Sequence, residues 1–183
     1  GKKEGSYLPG IYLADREASK YVFQFYPLHP LWMAIASYFF GEENHYYSLT
    51  FFSIVSILAV YLIVYEITKS RLLAAIGGGF LAINPLHAFF SKFPASEVVG
   101  LAYLLLSLYY VIRYLRASQE QVYRPLYLLL AACLITGMFF TRISGFMHIP
   151  FLYMALILNE LIINDNKIRF QLRIFFFLVF FGY

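Results

Sequence analysis

The side chains that could do chemistry in this sequence lie close to the ends of long apolar stretches. Glu97 follows Pro94 and Ser96 at the predicted start of a helix, and Lys92 lies five residues before it. A carboxylate there can act as a general base, or it can simply stabilise the positive end of the helix. Lys92 can contact a phosphate, or it can extend its ammonium group from a helix end into water. Both interpretations stay open for each residue.

Arg142 is the most distinctive of these candidates, because it separates two apolar stretches, residues 125–141 and 146–163. A charged group at membrane depth is costly and by default indicates function. The planar guanidinium group is suited to bidentate binding of phosphate. The alternative is a loop arginine that faces lipid headgroups.

Four histidines complete the set of candidates. His29 lies between Pro27 and Pro30, and His87 follows Pro85 by two residues. A histidine in such a place can line a substrate site or bind a divalent metal, or it can be an interfacial residue without a chemical role. No spacing among the histidines and carboxylates demands a metal, so the sequence leaves metal binding undecided.

The composition limits the class of protein to which these residues belong. Of the 183 residues, 61% are hydrophobic and 13% are charged, whereas a soluble domain has about 45–50% apolar and about 25% charged residues. This excludes a disordered chain, an ordinary soluble enzyme and a nucleic-acid-binding module, so no nucleic acid partner is expected. The single cysteine excludes an internal disulfide framework.

The predicted fold class is all-α, a polytopic transmembrane helix bundle with an outer loop that carries a juxtamembrane helix. Residues 1–46 form the outer loop, and its short helix has Pro30 in the first turn and Gly41 at the end. The chain starts without Met and ends inside an apolar run, so we interpret it as an N-terminal fragment. Membrane-spanning helices are predicted at 47–68, 72–90, 98–115, 125–141 and 146–163, with a truncated one at 174–183.

Loop charges predict the orientation of the bundle. If the spans alternate, every loop on one side is short and basic, which the positive-inside rule assigns to the cytoplasm. Acids on that side, Glu66 among them, are expected to be solvated loop charges. Glu97 and all four histidines fall on or near the other side. The prediction is a multi-pass integral protein of a bacterial or archaeal plasma membrane, rather than of the endoplasmic reticulum, with its active site on the non-cytoplasmic side.

Three segments together resemble one family of membrane enzymes. They read QFYPLHPLWMA at 24–34 followed by FFG at 39–41, NPLHAFFSKFPASE at 84–97, and TGMFFTR at 136–142. In this order and spacing they are similar to the first outer loop, the second outer loop and a small-residue helix of the glycosyltransferase-C superfamily. The similar members use polyprenyl-phosphate sugars and include protein O-mannosyltransferase-like and aminoarabinose-transferase-like enzymes.

The resemblance implies transfer of a sugar from a polyprenyl-phosphate carrier in the bilayer to an acceptor outside the cytoplasm. The acceptor is a protein, a lipid or a glycan. In this family a catalytic acid lies at the start of the first outer loop, and the resemblance places that acid before Gly1. Asp15 and Glu97 are the candidate catalytic carboxylates in this chain. The resemblance establishes no cofactor, and a divalent metal is possible. The residues expected to bind the substrate are Lys92, Arg142, His29 and His87.

Two other classes of protein fit the same composition. A transporter or flippase places polar groups near the membrane midplane on broken helices, often in internal repeats. A non-catalytic membrane assembly subunit needs no acids or histidines on the outer side. Because the ionisable groups cluster at loop ends and no repeat is evident, the sequence favours the enzyme.

Overall fold

The structure is a computed structural model that describes residues 11–15, 20–23, 27–117 and 122–142. The predicted spans at 146–163 and 174–183 lie outside these residues. The elements in chain order are β1 (Ile11–Asp15), β2 (Lys20–Phe23), α1 (Leu28–Phe40), a 3₁₀ turn (Glu42–Asn44), α2 (Tyr47–Thr68), α3 (Arg71–Ala82), α4 (Pro85–Phe90), α5 (Glu97–Arg116) and α6 (Arg124–Phe139).

Three of the long helices begin and end within two residues of the predicted bounds, because the apolar runs that form α2, α5 and α6 are limited by charged or turn-forming residues. The short helix α1 begins at Leu28 and ends before Gly41, as predicted from the glycine. Gly41 has a φ of +92°, a backbone conformation that only glycine adopts without strain. Glycine is therefore required where α1 stops.

The all-α prediction is confirmed in residues 27–117 and 122–142, and the predicted outer loop adds one short hairpin. Within the predicted outer loop, β1 and β2 pair as an antiparallel two-stranded hairpin, with Ile11 opposite Phe23 and Asp15 opposite Lys20. The strands are only five and four residues long, so their alternating pattern is too short to stand out in an apolar and aromatic sequence. In the other described residues, all regular secondary structure is helical.

The segment predicted as one span, 72–90, forms two helices, because the chain breaks between α3 and α4. Asn84 leaves the helical conformation, and its side-chain oxygen accepts hydrogen bonds from the backbone N–H groups of Leu86 at 2.9 Å and His87 at 3.1 Å. Pro85 has no N–H group to continue the ladder of α3, and it fits the first turn of a new helix. The asparagine cap and Pro85 therefore begin a new helix after α3 ends.

Helix α2 packs against both α3 and α5, and α5 packs against α6. Leu49 near the start of α2 lies in one apolar cluster with Val98 at the start of α5, while Glu66 near the end of α2 reaches Arg113 near the end of α5. Helices α2 and α5 therefore run parallel, and α3 returns along α2, with Gly77 beside Val64 and Gly78 beside Ile57. We call the two ends of the bundle the Glu97 end and the Glu66 end.

Small residues allow the helices to approach closely. A Cβ atom built on Gly77 would lie 3.0 Å from a methyl group of Val64 on α2, and one on Gly137 of α6 would lie 2.8 Å from the ring of Tyr103 on α5. The absence of a side chain at Gly77 and Gly137 therefore allows close packing. At Gly79 an added Cβ would meet nothing within 4 Å.

Replacing Gly137 with alanine is expected to lower the free energy of unfolding by about 1–3 kcal/mol, the usual effect of forcing an extra carbon into a packed site. The added carbon would displace the ring of Tyr103. The matched control is Gly79→Ala, which adds the same carbon to open space and is expected to leave stability unchanged or raise it by up to about 1 kcal/mol through helix propensity. Thermal melting followed by circular dichroism in detergent micelles measures both. Equal melting temperatures for the two variants would contradict the packing role of Gly137.

Two helical segments, Glu42–Thr68 and Glu97–Arg116, are long and apolar enough to cross a membrane, a property that core helices of soluble proteins share. Their apolar windows are only 39% and 33% buried within the described protein. On the shorter α3, Leu72 and Phe80 are 71% and 68% exposed, and Ile83 directly after it is 75% exposed. Much of the apolar surface of these helices therefore faces outward.

Candidate functional site

An ion pair joins two of the predicted site residues at the Glu97 end. The Nη1 atom of Arg142 lies 2.9 Å from Oε1 of Glu97, and each side chain is 31% exposed. The second carboxylate oxygen, Oε2, is buried and has no hydrogen-bond partner among the described residues. A buried carboxylate oxygen without a partner is costly unless something binds it. This atom is therefore available to accept a hydrogen bond or a proton.

The ends of two helices bring the ion pair together. Glu97 is the first residue of α5, and Arg142 follows α6, where its backbone N–H donates to the carbonyl of Met138 at 3.2 Å. Gly100 lies one helical turn after Glu97, and a Cβ atom there would come within 3.3 Å of the Arg142 side chain. The absence of a side chain at Gly100 therefore lets the arginine lie over the start of α5.

His29 on α1 lies beside this pair. The backbone N–H of Leu28 donates to the carbonyl of Phe140 at 3.2 Å, which fixes the start of α1 near the end of α6. The His29 side chain is buried, and neither ring nitrogen has a hydrogen bond of ordinary geometry to a described residue. Burial lowers the pKa of His29, because the charged ring loses its hydration, and the nearby Pro94 carbonyl and Glu97 carboxylate offset this only in part.

Trp32 anchors α1 to the bundle. Its indole N–H donates to the hydroxyl of Tyr103 on α5 at 3.0 Å, and its ring meets the edge of Phe52 on α2 with centroids 5.3 Å apart. Neither partner could be predicted from the sequence, because both lie far from Trp32 in the chain. The contacts hold His29 over the start of α5.

His87 lies in a cavity that it shares with Glu97. Its Nε2 atom and the hydroxyl oxygen of Ser53 on α2 are 2.8 Å apart and share a hydrogen bond. Its Nδ1 atom is buried and unpaired among the described residues. The cavity has a volume of about 240 Å³ and lies between α4 and α5. Its lining is formed by Leu81, Asn84, Leu86, His87, Phe90, Glu97, Val98 and Leu101.

The six predicted site residues are not all brought together. Glu97, Arg142 and His29 are neighbours, and His87 lines the same cavity as Glu97. Lys92 is exposed on the loop after α4 and forms no ion pair with a described residue. Asp15 ends β1, opposite Lys20 in the hairpin.

Gly100 is a residue that sequence reasoning missed. A small residue three positions after Glu97 falls on the same face of the helix, and this spacing is the signal that could have identified it. Metal binding stays a prediction. Within the part of the chain that the structure describes, no group of three or more histidine, cysteine, aspartate or glutamate residues is placed to hold a metal ion.

No protein-family model matches the chain, and no curated protein or solved structure shows significant similarity to it.

Acidification is expected to destabilise the folded protein through His29. Because the pKa of His29 is lowered from 6.5 in the folded state, the unfolded chain binds the proton at a higher pH than the folded chain does. The stabilisation by the neutral ring is complete above pH 6.5 and is lost as the pH falls through the folded-state pKa. Melting temperatures of the wild type and of His29→Leu, measured across this range, test the effect. The variant should lose less stability on acidification, and an identical pH dependence would contradict the role of His29.

Proposed function

We propose that this chain belongs to an integral membrane glycosyltransferase of the glycosyltransferase-C type. It transfers a sugar from a polyprenyl-phosphate carrier to an acceptor on the non-cytoplasmic face. The observation that carries the proposal is the ion pair of Glu97 and Arg142, with His29 beside it. This is a carboxylate with one free oxygen, a guanidinium group and an imidazole at one end of a helix bundle that is apolar on its outside.

The distribution of charge supports the membrane orientation in this proposal. At the Glu66 end, the described residues include one acid and five basic residues, whereas at the Glu97 end acids outnumber basic residues. Short basic loops remain in the cytoplasm. The Glu66 end is then cytoplasmic, and the Glu97 end lies on the other side. The basic residues are Lys69, Arg71, Arg113, Arg116 and Arg124.

The chemistry assigns one role to each partner of the ion pair. Oε2 of Glu97 accepts the proton of the acceptor hydroxyl group, while the oxygen of that hydroxyl group forms a bond to the anomeric carbon of the sugar. The bond between that carbon and the carrier phosphate oxygen breaks, and its electron pair stays on the phosphate. Arg142 uses Nη1 on Glu97, and its other guanidinium nitrogens stabilise the charge on the departing phosphate. The cavity beside Glu97 provides room for the acceptor.

A transfer assay tests the donor class. The full chain in membranes is incubated with a polyprenyl-phosphate sugar or with the matching nucleotide sugar, and sugar incorporated into membrane and soluble acceptors is counted. Incorporation from the polyprenyl-phosphate sugar is the expected result. Exclusive use of the nucleotide sugar, or no transfer from any polyprenyl-phosphate sugar in a panel of hexoses and pentoses, would contradict the proposal.

The break between α3 and α4 favours a transporter as the second candidate. Interrupted helices line the substrate sites of many transporters, and Asn84 and His87 at this break both line the cavity. A transporter moves its substrate unchanged, so flux of an intact labelled solute or lipid across a vesicle membrane, without any transfer product, would identify it.

A further inference from the structure

Glu66, at the opposite end of the bundle, is buried rather than solvated. Its residue is 7% exposed. Its carboxylate lies 2.9 Å from the ammonium group of Lys69 and 3.7 Å from Nη1 of Arg113. The expectation of a solvated loop charge was wrong, because the end of α5 packs against the end of α2 and covers the carboxylate.

Two arginines of α5 lie beside Glu66, one near its carboxylate and one on its backbone carbonyl. Arg116 donates from both terminal nitrogens to the backbone carbonyls of Glu66 and Ile67 at the end of α2. Arg113 donates from Nη2 to the hydroxyl of Tyr127 on α6 at 3.2 Å, and its guanidinium carbon lies 5.3 Å from the centre of the Tyr127 ring. The cluster therefore connects α2, α5 and α6, and it fixes the positions of both guanidinium groups.

A cavity of about 130 Å³ opens between these groups, and it is lined by Glu66, Arg113, Arg116, Ala117 and Tyr127. A single carboxylate faces two guanidinium groups there, with the Lys69 ammonium beside it. The described residues therefore leave an excess of positive charge around a cavity with polar walls. Positive charge held rigidly by packing favours an anion with several acceptor oxygens.

We propose that this cavity binds the headgroup phosphate of an anionic phospholipid. The planar guanidinium groups match the geometry of phosphate oxygens. Basic pockets between helices on the cytoplasmic side of a membrane bind lipids of this kind. The phosphate would occupy the space next to Arg113 and Arg116 and balance the charge that Glu66 leaves uncompensated. This site rests on the membrane orientation proposed above and does not depend on the reaction at the Glu97 end.

The test measures lipid binding to the full chain in a neutral detergent. Phosphatidylglycerol and phosphatidylcholine with the same acyl chains are added in turn, and bound lipid is counted by native mass spectrometry. We expect preferential binding of phosphatidylglycerol. Arg113→Gln and Arg116→Gln should each weaken it about fivefold, the contribution of one basic residue at an anionic membrane surface. Arg71→Gln is the matched control, because Arg71 is an exposed arginine at the same end, and it should leave the affinity unchanged.

Three results would overturn the proposal. The first is equal binding of the two lipids, and the second is an equal loss of affinity in Arg71→Gln. The third is displacement of phosphatidylglycerol by inorganic phosphate at equal concentration, which would assign the cavity to a free anion instead of a lipid. If the glutamine variants fail to fold, the salt dependence of lipid binding by the wild-type protein tests the proposal instead. Its phosphatidylglycerol binding should weaken as salt is added, because salt screens charge, and salt-independent binding would refute an electrostatic site.

Discussion

Replacing Glu97 with glutamine is expected to reduce sugar transfer by at least about 100-fold, the lower range of what a positioned general base contributes. Glutamine has nearly the same shape, and its amide oxygen can still accept the contact from Arg142. It cannot accept the proton of the acceptor hydroxyl at neutral pH. The initial rate of transfer from a polyprenyl-phosphate sugar, with protein amount and melting temperature checked in parallel, measures the effect.

The control for this variant is Glu43→Gln, which removes the same charge at the same end of the bundle. Glu43 is exposed in the 3₁₀ turn before α2, so its replacement should leave the rate unchanged. Unchanged transfer by a normally expressed Glu97→Gln protein would remove Glu97 from the reaction. An equal loss in both variants would instead indicate a general effect of charge at this end.

The second large effect is expected from Arg142→Lys. The ammonium group of lysine keeps the positive charge but cannot offer two parallel N–H groups to a phosphate. We expect the KM for the polyprenyl-phosphate sugar to rise at least about tenfold, since a hydrogen bond to a charged group contributes about 1.5–3 kcal/mol. Stability should change by less than about 1 kcal/mol, because the ion pair with Glu97 is partly exposed and screened by water.

Steady-state kinetics with varied donor concentration separates KM from kcat for this variant. The same exchange at Arg71, which lies at the Glu66 end, serves as the control and should leave both constants unchanged. Full activity of Arg142→Lys with an unchanged donor KM would count against phosphate recognition by Arg142.

The helices were largely predictable because their signals are local. A run of apolar residues limited by charges sets the length of α2 and α5, and Gly41 sets the end of α1 through its own backbone conformation. The hairpin and the break at Asn84 were not predicted. The hairpin depends on hydrogen bonds between its strands, and the break depends on the cap formed by Asn84. Composition does not show that the hairpin is more stable than an irregular loop, or that the break is more stable than a continuous helix.

The surroundings of the carboxylates of Glu66 and Glu97 could not be predicted from the sequence either. Glu66 and Glu97 look alike in the sequence, since each is an isolated acid near the end of an apolar run. The first is enclosed by Lys69 and Arg113, and the second keeps one oxygen without a partner among the described residues. The difference arises from which helix end packs beside each carboxylate, and this is a property of the tertiary structure.

The helical character of the chain, the ends of its main helices and the small set of ionisable residues near those ends follow from the order of the amino acids. Apolar periodicity and turn residues act over a few positions, so both can be recognised in the sequence alone. The meeting of Glu97 with Arg142, 45 positions further along the chain, and the separate position of Lys92 depend on the packing of the helices. Contacts between distant residues follow from how the helices pack, and packing depends on the shapes of whole helix surfaces, as the close approach at Gly100 shows.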